Sequence, residues 1–327
     1  MTSTLVDLTA PGRAKGSSSA PSGRAARSAR GTALRGGVRP RRPVVPRPAP
    51  PRGAAIATTA MFVVAGLCGW ALLQVLVLGA LGESRAQNVL YSQLREELAA
   101  QKAPTGGAIA PGRPVAVLTI PTLGLRQVVV EGTASGDLLQ GPGHRRDTVL
   151  PGQAGPSIIY GRATTYGGPF RSLTTLQVGD GIQVTTGQGE FVYRVDGVRR
   201  AGDLGPRSLT AGEGRLTLVT AEGTGLLAAL TPSQAVYVDA TLQGTGVNGP
   251  AGRPAGVPGS EKALGRDTSV LPYLGLVLQG LLAAVVGVML IRRRLPGRVT
   301  WIVAVPVLVA LAWLATDAAA ELLPNLI

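Results

Sequence analysis

Apolar residues in this chain form two patterns, long uninterrupted blocks and short punctuated runs. Three blocks are long: Ala54 to Leu81, Leu271 to Ile291, and Val299 to about Thr316. A bilayer core takes roughly 20 apolar residues at helical rise, and the first two blocks reach that length without a charge. The third carries Pro306, which a membrane helix tolerates where neighbours cover the freed carbonyl. The pattern therefore predicts three transmembrane helices, over residues 54–81, 271–291 and 299–317. A signal peptide is the rival reading of the first block, but its apolar core is shorter, about 7–15 residues, and follows a short basic region.

Between the first two blocks the pattern changes twice. In "ESRAQNVLYSQLREELAAQKAP", Val89, Leu90, Leu94 and Leu98 recur at helical spacing among charged neighbours, which predicts a juxtamembrane helix followed by a linker, together residues 82–110. From Val115 onward come short β-type runs, "VAVLTI", "RQVVVE", "SIIYG", "GIQVTT", "EFVYRV", "RLTLVT" and "AVYVDATL", separated by Gly and Pro. Such runs with hardly any helical periodicity predict a mostly β domain over residues 111–244, a compact barrel or sandwich. Residues 245–270 return to Gly, Pro and polar composition and read as a second linker.

Charge orients this arrangement. The chain has a net charge of +14, and residues 1–53 hold ten arginines and Lys15 against a single acid, Asp7. The Pro, Gly, Ala and Ser content of that stretch leaves too little apolar surface to offset chain entropy, so it reads as disordered. Basic flanks stay on the cytoplasmic side, and "IRRRLPGR", which contains the loop 292–298, agrees with the first cluster. The β domain and the short tail 318–327 are then extracytoplasmic. Topology and attraction to anionic membrane lipid account for the basic residues, so no nucleic-acid partner is expected. The sole cysteine, Cys68, lies in the first block, and the sole histidine is His144. The β domain thus has no thiol and no ligand cluster, and neither metal nor cofactor is expected. A lone histidine in the Gly/Pro loop "GPGHRRDT" reads as solvated or locally hydrogen-bonded.

The ordered series "IPTLGLRQVVVEG", "GPGHRRDTVLPGQAGPSIIYG", "TTYGGPFRSLTTLQVGDGIQVTT", "FVYRV" and "LTLVT" resembles the sortases, membrane-anchored cysteine transpeptidases of Gram-positive cell surfaces, and is most similar to the actinobacterial class E-like members. The resemblance covers roughly Pro114 to Leu242 and implies a closed β-barrel of about seven to eight strands. In that family a Cys thiolate attacks the carbonyl of a sorting-signal peptide, a His protonates the leaving amine and an Arg donates to the oxyanion. The family Cys directly follows "TLVT", where this chain has Ala221. The His position holds Arg162, whose guanidinium stays protonated and cannot cycle a proton. The Arg position aligns with Ala235, or one residue earlier with Gln234.

Replacement of all three roles implies a degenerate sortase, a non-catalytic binding or scaffolding module with its groove toward the cell wall. Tyr160, Arg162, Thr220 and Glu222 are its candidate binding residues. Arg162 serves either as a carboxylate clamp or as a surface residue paired with an acid such as Glu222. The implied partners are membrane lipid and either a cell-wall or sorting-signal peptide or other envelope proteins. Two alternatives stay open: a divergent transpeptidase or hydrolase with a rearranged site, and a subunit of a multi-protein envelope complex.

Overall fold

A computed structural model describes residues 61, 65–66, 68–223, 233–291 and 296–327. The basic stretch 1–53 and most of the first half of block 54–81 lie outside the described residues.

Eight strands close into one barrel: β1 (Pro114–Ile120), β2 (Leu125–Glu131), β3 (Gly143–His144), β4 (Gly155–Tyr160), β5 (Gly181–Thr186), β6 (Gly189–Arg200), β7 (Gly214–Glu222) and β8 (Gln234–Leu242), in the order β1-β2-β3-β4-β7-β8-β6-β5. All pairings are antiparallel except β2 with β3 and β4 with β7. The interior is aliphatic, with Leu118, Ile120, Ile159, Leu216, Leu218 and Val238 fully enclosed. Each such side chain contributes roughly 1.5–3 kcal/mol by leaving water. β7 is covered on both faces, so that even Arg215, Thr217 and Thr220, which interrupt its apolar residues, are buried.

Outside the barrel, helix α1 (Gly79–Ala99) lays Leu90 and Leu94 against Val117, Val128 and Val130 of β1 and β2. Gln87 on the same helix acts as a substitute strand. Its Oε1 accepts from the Val128 amide at 2.7 Å, and its Nε2 donates to the Val128 carbonyl at 3.0 Å. This satisfies the edge of β2 that the two-residue β3 is too short to cover. Before α1 the helix widens into a π turn at Gln74–Leu78.

Two further helices, α2 (Leu271–Ile291) and α3 (Gly297–Glu321), are long and apolar enough to cross a membrane. α3 runs through Pro306 and extends beyond the expected 299–317. Its C-terminal end meets the helix before α1, where Trp70 Nε1 donates to Thr316 Oγ1 at 3.3 Å and Gln74 Nε2 to Asp317 Oδ1 at 3.0 Å.

The stretch 245–270 packs on the barrel. Val247 bridges to Gln153, Arg253 pairs with the buried Glu131, and Glu261, itself enclosed, pairs with Arg146. Glu131 also receives the fully buried His144 through Nδ1 at 2.9 Å, while Nε2 lies 2.8 Å from the Val149 carbonyl oxygen. His144 is therefore not solvated. It ties β3 to β2 and, through Glu131, to Arg253, and being a single residue in a two-residue strand it left no periodic signal.

Candidate functional site

The ends of β4, β7 and β8 converge on one side of the barrel. Ala221 on β7 faces Ala235 on β8 in direct register, so the two positions that the resemblance matches to nucleophile and oxyanion donor are cross-strand neighbours. Their side chains form an apolar cluster with Leu138, Tyr160 and Val219. Alternation along β7 sends Thr220 the other way, onto the row of Leu216 and Leu218 that faces the barrel interior. Its hydroxyl is buried there without a partner, so Thr220 does not line the cleft. Glu222 also leaves it. That carboxylate pairs with Arg200 at 2.7 Å, which holds it below the usual carboxylate range. The alternative Arg162–Glu222 pair is absent: Glu222 is engaged by Arg200, and Arg162 by Ser135, Thr165 and Ile327.

Arg162 is fully buried, not a surface residue. It follows β4 at the start of the loop "RATTYGGPF". Its Nη1 donates to Thr165 Oγ1 at 3.0 Å and to the Ile327 carbonyl at 3.2 Å. Nη2 donates to the Ser135 carbonyl at 3.0 Å and hydroxyl at 2.7 Å. The guanidinium also lies 5.3 Å from the centre of the Tyr166 ring. No Asp or Glu side chain pairs with it among the described residues. Burial pulls it down to about 10 against opposing pushes from Tyr166 and Glu321.

The Ile327 carbonyl belongs to a segment of this same chain that fills the cleft. Beyond α3, Asn325, Leu326 and Ile327 are all buried. Leu326 joins the cluster of Ala221 and Ala235, and its carbonyl accepts from the Ala163 amide at 2.9 Å. Asn325 Nδ2 donates to the carbonyls of Thr133 at 2.8 Å and Lys262 at 2.9 Å, and the Asn325 amide donates to the Gly265 carbonyl at 3.0 Å. Sequence reasoning missed Ser135, Thr165 and this segment. Their contacts run largely through main-chain groups, which leave no side-chain pattern to read. Tyr160 does line the cleft, at its floor, with burial raising its phenol.

The loop also meets the helix ends. The Tyr166 amide donates to the Val75 carbonyl in the π turn at 3.4 Å, and its hydroxyl to Asp317 Oδ1 at 3.1 Å. Gly79 makes this approach possible, because a Cβ there would sit 2.9 Å from the Tyr166 ring. The cleft thus lies beside the C-terminal end of α3 and the π turn before α1.

A closed barrel with its cleft at the ends of β4, β7 and β8 is the architecture of the sortase class, here joined to two helices long and apolar enough to cross a membrane. A sortase-domain family model matches residues 118–239, and the chain carries a sortase domain. It is 32% identical over 84 residues to sortase D of Bacillus subtilis (strain 168), a stretch that makes up 26% of this chain and 41% of that protein. The chain thus spans less than half the length of that curated relative. Similar solved structures include sortase E from Streptomyces avermitilis, 28% identical over 47% of this chain and 100% of that one, TM-score 0.35. Sortase E1 from Streptomyces coelicolor, determined with a tripeptide in its active site, is 26% identical over 42% and 93% of the two chains, TM-score 0.34. The sortase D5 transpeptidase of Clostridium perfringens is 24% identical over 49% and 99%, TM-score 0.41.

Proposed function

We propose that this chain is a membrane-anchored, non-catalytic sortase-domain module of the cell envelope, whose cleft binds a peptide segment or a partner protein without cutting it. The observation that carries this reading is the register pair Ala221–Ala235, together with Arg162 two residues beyond Tyr160 of the cluster that holds the pair. A methyl group has no lone pair with which to attack a carbonyl, and a permanently charged guanidinium cannot shuttle a proton. Neighbouring groups do not replace them: Thr220 faces the interior, and Glu222 is engaged by Arg200. The apolar helices α2 and α3 support membrane anchoring, with residues 1–53 and the 292–298 loop cytoplasmic and the barrel outside. Partners in this reading are a sorting-signal or cell-wall peptide, envelope proteins and the surrounding lipid. The test is covalent labelling of the full chain, in the Cys68→Ser background, with thiol- and hydroxyl-directed active-site probes, together with a transpeptidation assay. Neither adduct nor product is expected. Turnover by the protein with Ala221 in place would refute the reading.

A further inference from the structure

The segment in the cleft is held as a ligand is held. The main-chain oxygens of Leu326 and Ile327 meet donors of the barrel: the Ala163 amide for the first, and the Thr165 hydroxyl and the Arg162 guanidinium for the second. One side chain, Leu326, enters the apolar pocket at Ala221 and Ala235, and one, Asn325, is read by carbonyls of Thr133 and Lys262. Ordinary core packing would bury apolar surface against apolar surface. Here removal of four residues would leave a cleft lined by a fully buried guanidinium, free carbonyls and a small apolar pocket, the mixture that recognises an extended peptide. Alanines at 221 and 235 belong to this arrangement, since they leave room for a branched side chain where larger groups would stand.

We propose that Pro324–Ile327 is an intramolecular occupant of a peptide-binding cleft, so that the site is closed in the resting protein and takes, when opened, an extended peptide bearing a side-chain amide followed by a branched aliphatic residue. This deepens the proposed function and rests on it for the peptide class, while the occupancy itself does not depend on whether the site is catalytic. The occupant is joined to α3 by Leu322 and Leu323, so a shift of that helix end carries the segment out of the cleft.

The experiment uses the full chain in detergent with Cys68→Ser and Ala221→Cys, giving a single thiol at the pocket. Maleimide labelling is followed with the segment intact, with residues 324–327 deleted, and with Leu326→Asp, which keeps the segment but drives its side chain from the apolar pocket. Both altered chains are expected to label at least about 10-fold faster, because protection scales with the fraction of time the site is open. Adding the free peptide Glu-Leu-Leu-Pro-Asn-Leu-Ile to the deleted chain should restore protection, and the same peptide with Asp for its second-to-last residue should not. If the deleted chain does not fold, the Leu326→Asp chain carries the same comparison. Equal labelling of all forms would overturn occupancy. Fast labelling that no concentration of the free peptide reverses would overturn the ligand assignment and leave the segment a structural plug. Turnover in the catalytic assay would sink the non-catalytic reading without touching either result.

Discussion

Replacing Arg162 with methionine sets two sizeable effects against each other. The substitution removes a cation from a dry site. Burial pulls the guanidinium from 12.5 to about 10, which at ~1.4 kcal/mol per unit is a penalty of roughly 3 kcal/mol that methionine relieves. It also removes four hydrogen bonds, to Thr165, Ile327 and twice to Ser135. Bonds from a charged donor contribute roughly 1.5–3 kcal/mol each, so their combined loss is about 6–12 kcal/mol. The lower end applies, because Thr165 still donates to the Ile327 oxygen and the Ser135 hydroxyl still reaches the Ala320 and Leu323 carbonyls. The Ser135 carbonyl loses its guanidinium donor. The net expectation is a loss of about 3 kcal/mol, which lowers the melting temperature by roughly 6–12 °C for a domain of this size. Arg162→Lys should fall between the two, since one ammonium lacks the planar fork that spans Ser135 and Ile327 together. The assay is thermal unfolding of the full chain in detergent at neutral pH, followed by near-UV circular dichroism. An unchanged or raised midpoint in Arg162→Met would mean that desolvation outweighs the bonds, and the account of Arg162 as the anchor of the terminal segment would fall.

Three further outcomes are expected. Asp137, beside Glu261, Arg146 and Glu321, is pushed up from 3.8 to about 6 mainly by burial. Its folded form disfavours the charge, so the penalty is absent below pH 4, grows between 4 and 6 and is full above 6. Asp137→Asn should therefore stabilise the protein by roughly 3 kcal/mol at pH 7.5 and by almost nothing at pH 4, and equal gains at both values would refute this origin. Gly79→Val should weaken docking of the Arg162–Phe170 loop by about 1–3 kcal/mol through overpacking on the Tyr166 ring, read as faster proteolysis of that loop. Protease added to intact spheroplasts should digest the barrel and spare residues 1–53, and clipping of that basic stretch instead would invert the assigned orientation.

Much of the barrel could be read from the chain because its strands bury aliphatic side chains at fixed spacing, as in "RLTLVT" and "GIQVTT". β3 escaped notice because two residues carry no period. β6 was read short, as "EFVYRV", because its second half, "DGVRR", is polar on a partly exposed surface. Ala221 and Ala235 were found through resemblance, and their register pairing agrees with that alignment. Arg162 was singled out through the same resemblance, but its burial and its partners were not anticipated. Arginine is almost never fully buried unless paired, and its partners here are a serine, a threonine and a main-chain carbonyl contributed from 165 residues away. The terminal "PNLI" follows an apolar helix and offers no feature that marks it as the filling of a distant cleft.

The Gln87 amide that completes the edge of β2 also decides how tension passes through the molecule. A pull on the barrel does not first straighten the Gly- and Pro-rich spacer 104–113. It reaches the three bonds that Gln87 makes to Val128 and Gln140. These lie close together and share the force, so they break together rather than one after another. Until they do, the barrel is coupled to α1 as a rigid handle, and displacement of the domain is delivered directly to that helix.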